Sequence, residues 1–387
     1  MSVKRKTLVR SGIAGTGAAA LLAASWAAGL GGATAGAAEP TAPPPVAGPT
    51  AADPHSDVPL GYAAEAGGTT GGFGADVVHE YLLSEYAADA GYSDPGRAMY
   101  DLLNQHRRAG ADEGLVIHVD TTVGPDNLTG NKMDVKDVSN VSILGVGDAA
   151  EFDGAGIKVT RADNIVIRNL DIHHVRLGDG DAITVTEGSH HVWIDHNTFS
   201  STRDVDKDHY DGLVDITHNS AYVTVSWNHF HDHWKGMLVG HNDSAGSAPD
   251  KITYHHNHFE RLNTRIPLIR HADVHFANNL LEDIDGSAVN ARMGSQVLVE
   301  GNWFENVGSG EDDSHAGYPE GPVGWWYGSN ATGYWNLVDN AFVDSPHEHL
   351  ESTTDFTPPY AFDADSPADA KSAVEQYAGA GVIDVTP

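Results

Sequence analysis

Val192-Trp-Ile-Asp-His-Asn-Thr-Phe199, Val223-Thr-Val-Ser-Trp-Asn-His-Phe230 and Ile252-Thr-Tyr-His-His-Asn-His-Phe259 are three copies of one phrase. Each is a short β-rich run, then an asparagine, then one residue and a bulky apolar one. Outward from these, the phrase recurs at Ile165–Asn169, Val274–Asn279, Val297–Asn302 and Leu337–Asn340. Leu281, Phe304 and Phe342 repeat the apolar residue two places after the asparagine. Successive asparagines are 28, 31, 29, 22, 23 and 38 residues apart. An internal period of this length marks a solenoid, whose repeats bury their apolar faces against their neighbours, and the strand content makes it a β one. The expected fold is all-β, a right-handed parallel β-helix, with stacked asparagines hydrogen-bonding between coils as amide ladders do in cross-β stacks. An antiparallel sandwich is the competing fold, but it calls for paired Asn-Gly hairpin turns rather than an N-x-apolar unit. The uneven spacing implies protruding loops near 200–211, 241–250 and 306–334, placed to wall a groove.

Two flanking stretches read as helices. Asp94-Pro95 is an N-cap followed by proline at the first helical position, opening a helix through Leu102, Leu103 and His106. Ser366-Pro367 opens an Ala-rich segment to Tyr377 that is expected to cap the solenoid, since an uncapped end exposes an edge to aggregation. Gly67-Gly-Thr-Thr-Gly-Gly72 invites a phosphate-loop reading, but no Lys-Ser/Thr follows and no strand precedes it.

Residues 1–37 read as a secretory signal, with Lys4, Arg5, Lys6 and Arg10 before the apolar run Ile13–Leu30 and a small-residue cleavage site at Ala35-Gly36-Ala37. A single membrane anchor is the rival reading. Residues 38–57 are a Pro/Ala-rich linker, and 58–387 form one domain. The mature chain is therefore expected to be secreted and extracellular, with no membrane association after cleavage, and a monomer. There is no cysteine, so neither disulfides nor thiolate metal sites are available. Without the leader, 18 basic residues face 54 acidic ones, a formal charge of −36. Such a surface repels nucleic acid and other polyanions at long range, so an anionic substrate needs local cations or bound metal.

Asp179, Asp181, Asp211 and Asp215 form the central constellation. Asp211 and Asp215 sit four apart and can share one strand face, as can Asp179 and Asp181 one coil earlier. Stacked carboxylates repel unless a cation lies between them, and an oxygen-only donor set favours Ca²⁺; solvated turn aspartates are the bland alternative. Downstream, Lys235, Arg265 and Arg270 stand out in a chain poor in cations, and the two arginines bracket apolar Ile266–Ile269. They suit a carboxylated ligand, arginine by a bidentate fork and lysine as a point charge; salt bridging to the many acids is the competing reading. The pairs His190-His191, His231/His233 and His255-His256 raise the question of zinc. No His-Glu-x-x-His occurs, and 23 scattered histidines more often stack or face solvent.

In Gly-Asp-Ala-Ile (180–183), Val-Trp-Ile-Asp-His (192–196), Asp211-Gly-Leu-Val-Asp215 and Arg265-Ile-Pro-Leu-Ile-Arg270, the chain resembles secreted pectate lyases of polysaccharide lyase family 1. The resemblance runs from about Gly61 to Phe304 and is densest from Asp179 to Arg292. It implies calcium ligation by Asp181, Asp211 and Asp215, with Asp179 an additional acid nearby. It also implies Arg265 as the base, and Lys235 and Arg270 as holders of a uronate carboxylate. The implied reaction is calcium-dependent β-elimination on de-esterified polygalacturonate. Arginine is protonated under ordinary conditions, so a base role implies an alkaline optimum. Asp195 belongs to a signature of structural character. His271-Ala272 departs from the family pattern, and 307–334 matches nothing in it. A pectin lyase acting on methylated pectin is the first alternative. A β-helical polygalacturonase, hydrolysing with paired carboxylates, is the second, although its Arg-x-Lys and Gly-His-Gly elements are missing.

Overall fold

The computed structural model describes residues 6–9, 51–110, 112–126, 128, 132–176, 180–308, 320–326, 328–347 and 350–387. Each full coil gives one strand to each of three sheets. Ala221–Ser226 lies in the first, His229–Lys235 in the second and Met237–Val239 in the third, and Asp250–His255 returns to the first one coil on. The sheets hold 11, 8 and 8 strands among the described residues, all parallel except Lys6–Val9, which pairs antiparallel with Val77–Leu82. This is the expected parallel β-helix.

The register follows the sequence phrase. Phe199, Phe230, Phe259, Leu281, Phe304 and Phe342 are consecutive partners in the second sheet. Phe199, Phe230 and Phe259 stack inside the coil with ring centroids 4.8 and 4.9 Å apart, an offset aromatic column worth more than its buried area alone. Valines and isoleucines of the first and third sheets fill the remaining interior.

At the bend between first and second sheets, Asn197, Asn228, Asn257, Asn279, Asn302 and Asn340 form a ladder. Each Oδ1 from Asn228 onward accepts both the backbone N–H and the Nδ2 of the asparagine one coil before, at 2.8–3.1 Å. Each Nδ2 also reaches a strand carbonyl, as Asn257 does to Val225 O at 2.9 Å. A buried amide satisfied in this way cannot be replaced by an apolar side chain without orphaning several groups. Asn257→Ala should therefore cost about 2–3 kcal/mol in a denaturant titration.

Asn169 does not belong to the ladder. Arg168 pairs with Asp195, so Asn169 aligns with His196 in the left-handed position, and Leu170 N occupies the ladder place by donating to Asn197 Oδ1. The N-x-apolar phrase alone does not distinguish these neighbouring positions.

The ends are covered differently from each other. Pro95–Ala109 is capped by Asp94, whose Oδ1 accepts from Gly96 N at 2.9 Å, and its Met99, Leu102 and Leu103 close the interior at the first coils. Pro367–Tyr377 is helical as expected but does not cap the far end. It lies along the second sheet against Leu280–Ile284 and Trp303–Val307, with Lys371 Nζ 2.9 Å from Glu282 and 2.6 Å from Glu305. Stacked glutamates on adjacent coils attract this lysine and fix the helix to the flank. The last first-sheet strand, Tyr334–Val338, is instead covered by 351–356, through Thr353 N to Trp335 O at 2.8 Å and Leu337 N to Ser352 Oγ at 2.9 Å. Ser56 and Asp57, placed by sequence in the linker, dock on Arg168.

Candidate active site

Four successive coils deliver one charged residue each where the chain turns from second to third sheet. Asp181 precedes Ile183–Thr186, Asp211 precedes Val214–Ile216, Lys235 precedes Met237–Val239 and Arg265 precedes Leu268–Arg270. Backbone bonds hold these turns in a column: Ala182 N to Gly212 O at 3.3 Å, Leu213 N to Gly236 O at 2.9 Å and Met237 N to Arg265 O at 2.6 Å.

Among the described carboxylates of the set, only Asp215 lies in a strand, so the expected pairing of Asp211 and Asp215 on one strand face does not occur. Asp181 and Asp215 converge instead over Gly212. A Cβ at Gly212 would stand 2.7 Å from Asp181 Oδ1 and 2.9 Å from Asp215 Oδ1, so glycine is what leaves room for both. Asp181 accepts from Gly212 N at 3.0 Å and Thr184 Oγ1 at 2.8 Å, and Asp215 from Leu238 N at 2.9 Å. Burial, with Asp211 adding, pushes the Asp181 carboxyl up to about 6. Burial and then the charge of Asp181 raise Asp215 well above the carboxylate range, while Arg265 pulls it down. Asp211 Oδ1 lies 4.0 Å from Lys235 Nζ. The carboxylate oxygens of Asp181, Asp211 and Asp215 do not all lie within 4.8 Å of one another. The donor set nevertheless fits calcium: oxygen only, two carboxylates crowded at one glycine, and an electrostatic penalty that a divalent cation relieves. Asp179 lies outside the described residues.

Among the cations, Lys235 is largely buried and pairs with exposed Asp208 at 3.1 Å. Arg265 is half-buried with φ +65°, and among the described residues no carboxylate is hydrogen-bonded to its guanidinium. Ile266, Pro267, Leu268 and Ile269 beyond it are buried, which anchors Arg265 and Arg270 at the two ends of the segment. The Ile266–Pro267 peptide is cis. Arg270 donates through Nε to Asp243 Oδ1 at 3.0 Å and Ser329 Oγ at 3.2 Å, and through Nη1 to Gly240 O at 2.8 Å. Ser329 Oγ, Asn330 N and Arg270 together hold the Asp243 carboxyl below its usual range.

Gly212, Asp208, Asp243 and Ser329 are thus part of the site although sequence reasoning passed over them. Gly212 sits inside Asp211-Gly-Leu-Val-Asp215 and was visible as a small residue between acids; Asp243 and Ser329 reach Arg270 across 27 and 59 residues and carry no local signal. The loop bearing Asp208 is pinned by Arg203, which covers Trp234 with its guanidinium 4.8 Å from a ring centroid and pairs with Asp285. Asp195 stands elsewhere: fully buried, it binds Arg168 Nε at 2.7 Å, Ser226 Oγ at 2.6 Å and His196 Nδ1 at 2.6 Å, a structural network. The Gly-rich stretch is likewise structural, Thr70 N and Gly71 N both donating to Asn164 Oδ1.

The chain matches the pectate lyase family model over residues 6–383. It is 40% identical over 333 residues to a pectate trisaccharide-lyase of Bacillus licheniformis, covering 86% of this chain and 89% of that one. It is 36% identical over 326 residues to pectate lyase A of Emericella nidulans, covering 84% and 86%. Among solved structures it resembles a pectate lyase from Bacillus sp. N165 in complex with trigalacturonate, at 50% identity and TM-score 0.77, over 84% of this chain and all of that one. Pectate lyase C of Erwinia chrysanthemi, solved at pH 9.5 with 30 mM Ca²⁺, is 25% identical with TM-score 0.66, over 86% and 99%. With these relatives the three-sheet coil is the right-handed parallel β-helix, and the chain belongs to the pectate lyase family of polysaccharide lyases.

Proposed function

We propose that this lyase is a secreted, monomeric enzyme that cleaves de-esterified polygalacturonate by calcium-dependent β-elimination, leaving unsaturated oligogalacturonides. The observation that carries this reading is the column of Asp181, Asp211, Lys235 and Arg265 on successive coils, with Asp215 and Arg270 beside it. The trigalacturonate complex of the Bacillus relative and the calcium in the Erwinia structure support the same assignment.

In this reading Asp181, Asp211 and Asp215, with Asp179, hold calcium, which when bound supplies a Lewis acid for the C6 carboxylate of the sugar. Lys235 and Arg270 bind the same carboxylate and stabilise the charge that spreads onto it as the neighbouring C5–H bond breaks. Arg265 takes that proton. The C–H electron pair becomes the C4–C5 double bond, the C4–oxygen bond breaks, and the departing oxygen takes a proton from solvent, to which Arg265 returns the one it removed. No water is consumed.

The leader 1–37 fits the secretory reading, and its removal takes with it the Lys6–Val9 strand beside Val77–Leu82. No helix among the described residues is long and apolar enough to cross a membrane.

The test is ultraviolet absorbance of the conjugated product on polygalacturonate, with calcium and then with chelator. A rise abolished by chelator is expected; reducing ends without absorbance would replace elimination by hydrolysis. Gly212→Ala checks the acid cluster separately. Its Cβ meets Asp181 and Asp215 at under 3 Å, so calcium affinity measured by titration should fall at least about tenfold, with retention of normal affinity placing the ion elsewhere.

A further inference from the structure

Two histidine pairs sit on register partners of neighbouring coils, the first away from the lyase site and the second with His174 5.8 Å from the ring of Tyr210, which precedes Asp211. Asp163 pairs with His190, and Asp163 Oδ1 lies 2.7 Å from His190 Nδ1 and 3.5 Å from His191 Nδ1. The two Nδ1 atoms are 2.8 Å apart. One coil earlier Asp153 pairs with His173 in the same way, its Oδ1 3.5 Å from His173 Nδ1 and 4.0 Å from His174 Nδ1, with the nitrogens 2.7 Å apart. In each pair the second histidine has left-handed backbone, φ 53° at His191 and 56° at His174, which turns both rings to the same side.

One ring of each pair is held from outside. His191 Nε2 lies 3.2 Å from the Glu65 carbonyl oxygen, which can only accept, so the ring proton is on Nε2 and Nδ1 presents a lone pair toward Asp163. Tyr222 stacks on the same ring at 5.0 Å and holds its plane. His173 Nε2 is held by Glu151 Oε1 at 2.7 Å, the carboxylate–histidine arrangement that orients metal-binding imidazoles. Donors of a tetrahedral zinc ion, each about 2.0–2.2 Å from the metal, lie about 3.3 Å from one another, within the spread of both trios. His190, Asp163 and His174 keep an exposed side, leaving a fourth position open to water. The third such trio, His229, His258 and Glu260, is engaged differently, because Glu260 is paired with the guanidinium of Arg261 and the His229 and His258 rings stack face to face 4.7 Å apart.

We propose that Asp163/His190/His191 and Asp153/His173/His174 are two peripheral binding sites for a borderline transition-metal dication such as Zn²⁺ or Ni²⁺. Each clips one coil to the next. Two imidazole nitrogens select against calcium, so these sites stay distinct from the carboxylate cluster even when calcium is abundant.

The test is calorimetric titration of the enzyme with ZnCl₂ under saturating calcium. Two zinc equivalents are expected. The double variant H190A/H191A should keep one, with calcium-supported lyase activity unchanged, H173A/H174A the other, and a variant combining both none. Retention of two equivalents by either double variant overturns the assignment for that pair, and absence of zinc uptake by wild type overturns both. X-ray absorption of the zinc-loaded wild type removes any dependence on how the variants fold. Two imidazole scatterers per zinc are expected, and an oxygen-only shell rejects the proposal.

Discussion

Arg265→Ala lowers turnover on polygalacturonate by about 10³-fold while calcium uptake, read by titration, stays at wild-type strength. General-base catalysis contributes about 10²–10⁴-fold, and no other basic side chain occupies the turn from which Arg265 projects. Its backbone carbonyl accepts from Met237 N, a bond that alanine keeps, so the coil is preserved and the loss is confined to chemistry. Arginine acts as a base only in the fraction that has lost its proton, so the wild-type rate should climb into the alkaline range. Arg265→Lys should retain some activity and move the profile toward lower pH, since an ammonium gives up its proton more readily than a guanidinium. A wild-type optimum in the acidic range, or an alanine variant within tenfold of wild type, would remove Arg265 from the role.

Asp181→Asn is expected to divide stability from function in an unusual direction. The folded carboxyl titrates at about 6 against 3.8 for an unperturbed one, so between these values the folded state holds a proton that the unfolded chain has released. The stability tied to that proton is fully present below pH 3.8 and is lost as pH rises through about 6. At neutral pH without metal, the wild type thus carries a charge penalty on the order of 2–3 kcal/mol that the amide does not. In chelator the variant should melt a few degrees above wild type. In calcium the order reverses: the wild-type melting temperature rises, the variant responds little, and its activity falls by about 10²-fold or more. A variant that is less stable than wild type in chelator yet keeps its calcium response would contradict the assignment.

The repeat, the parallel coil and the order of the charged residues were legible because a solenoid writes its period directly into the chain. Asn197, Asn228 and Asn257 recur with Phe199, Phe230 and Phe259 because one bend and one interior position are rebuilt at every coil. The helix at Asp94-Pro95 was equally local, since its cap and first residue are adjacent in sequence. The phrase could not show that Asn169 is one place out of the ladder, because αL and ladder positions are neighbours and both accept asparagine.

The candidate site was legible only as a set of residue types. Which acids converge depends on the turns between second and third sheets: Asp181 and Asp215 meet at Gly212, while Asp211 Oδ1 lies 4.0 Å from Lys235 Nζ, and strand alternation says nothing about either. The attachment of Arg270 to Asp243 and Ser329 spans loops of different coils, and the flank position of Pro367–Tyr377 depends on Glu282 and Glu305 stacking beneath Lys371. Sequence by itself determined the coil, its period and the chemistry carried on it. Tertiary structure decided which side chains meet, because contacts between coils join residues more than 20 positions apart whose register is set by the loops between them.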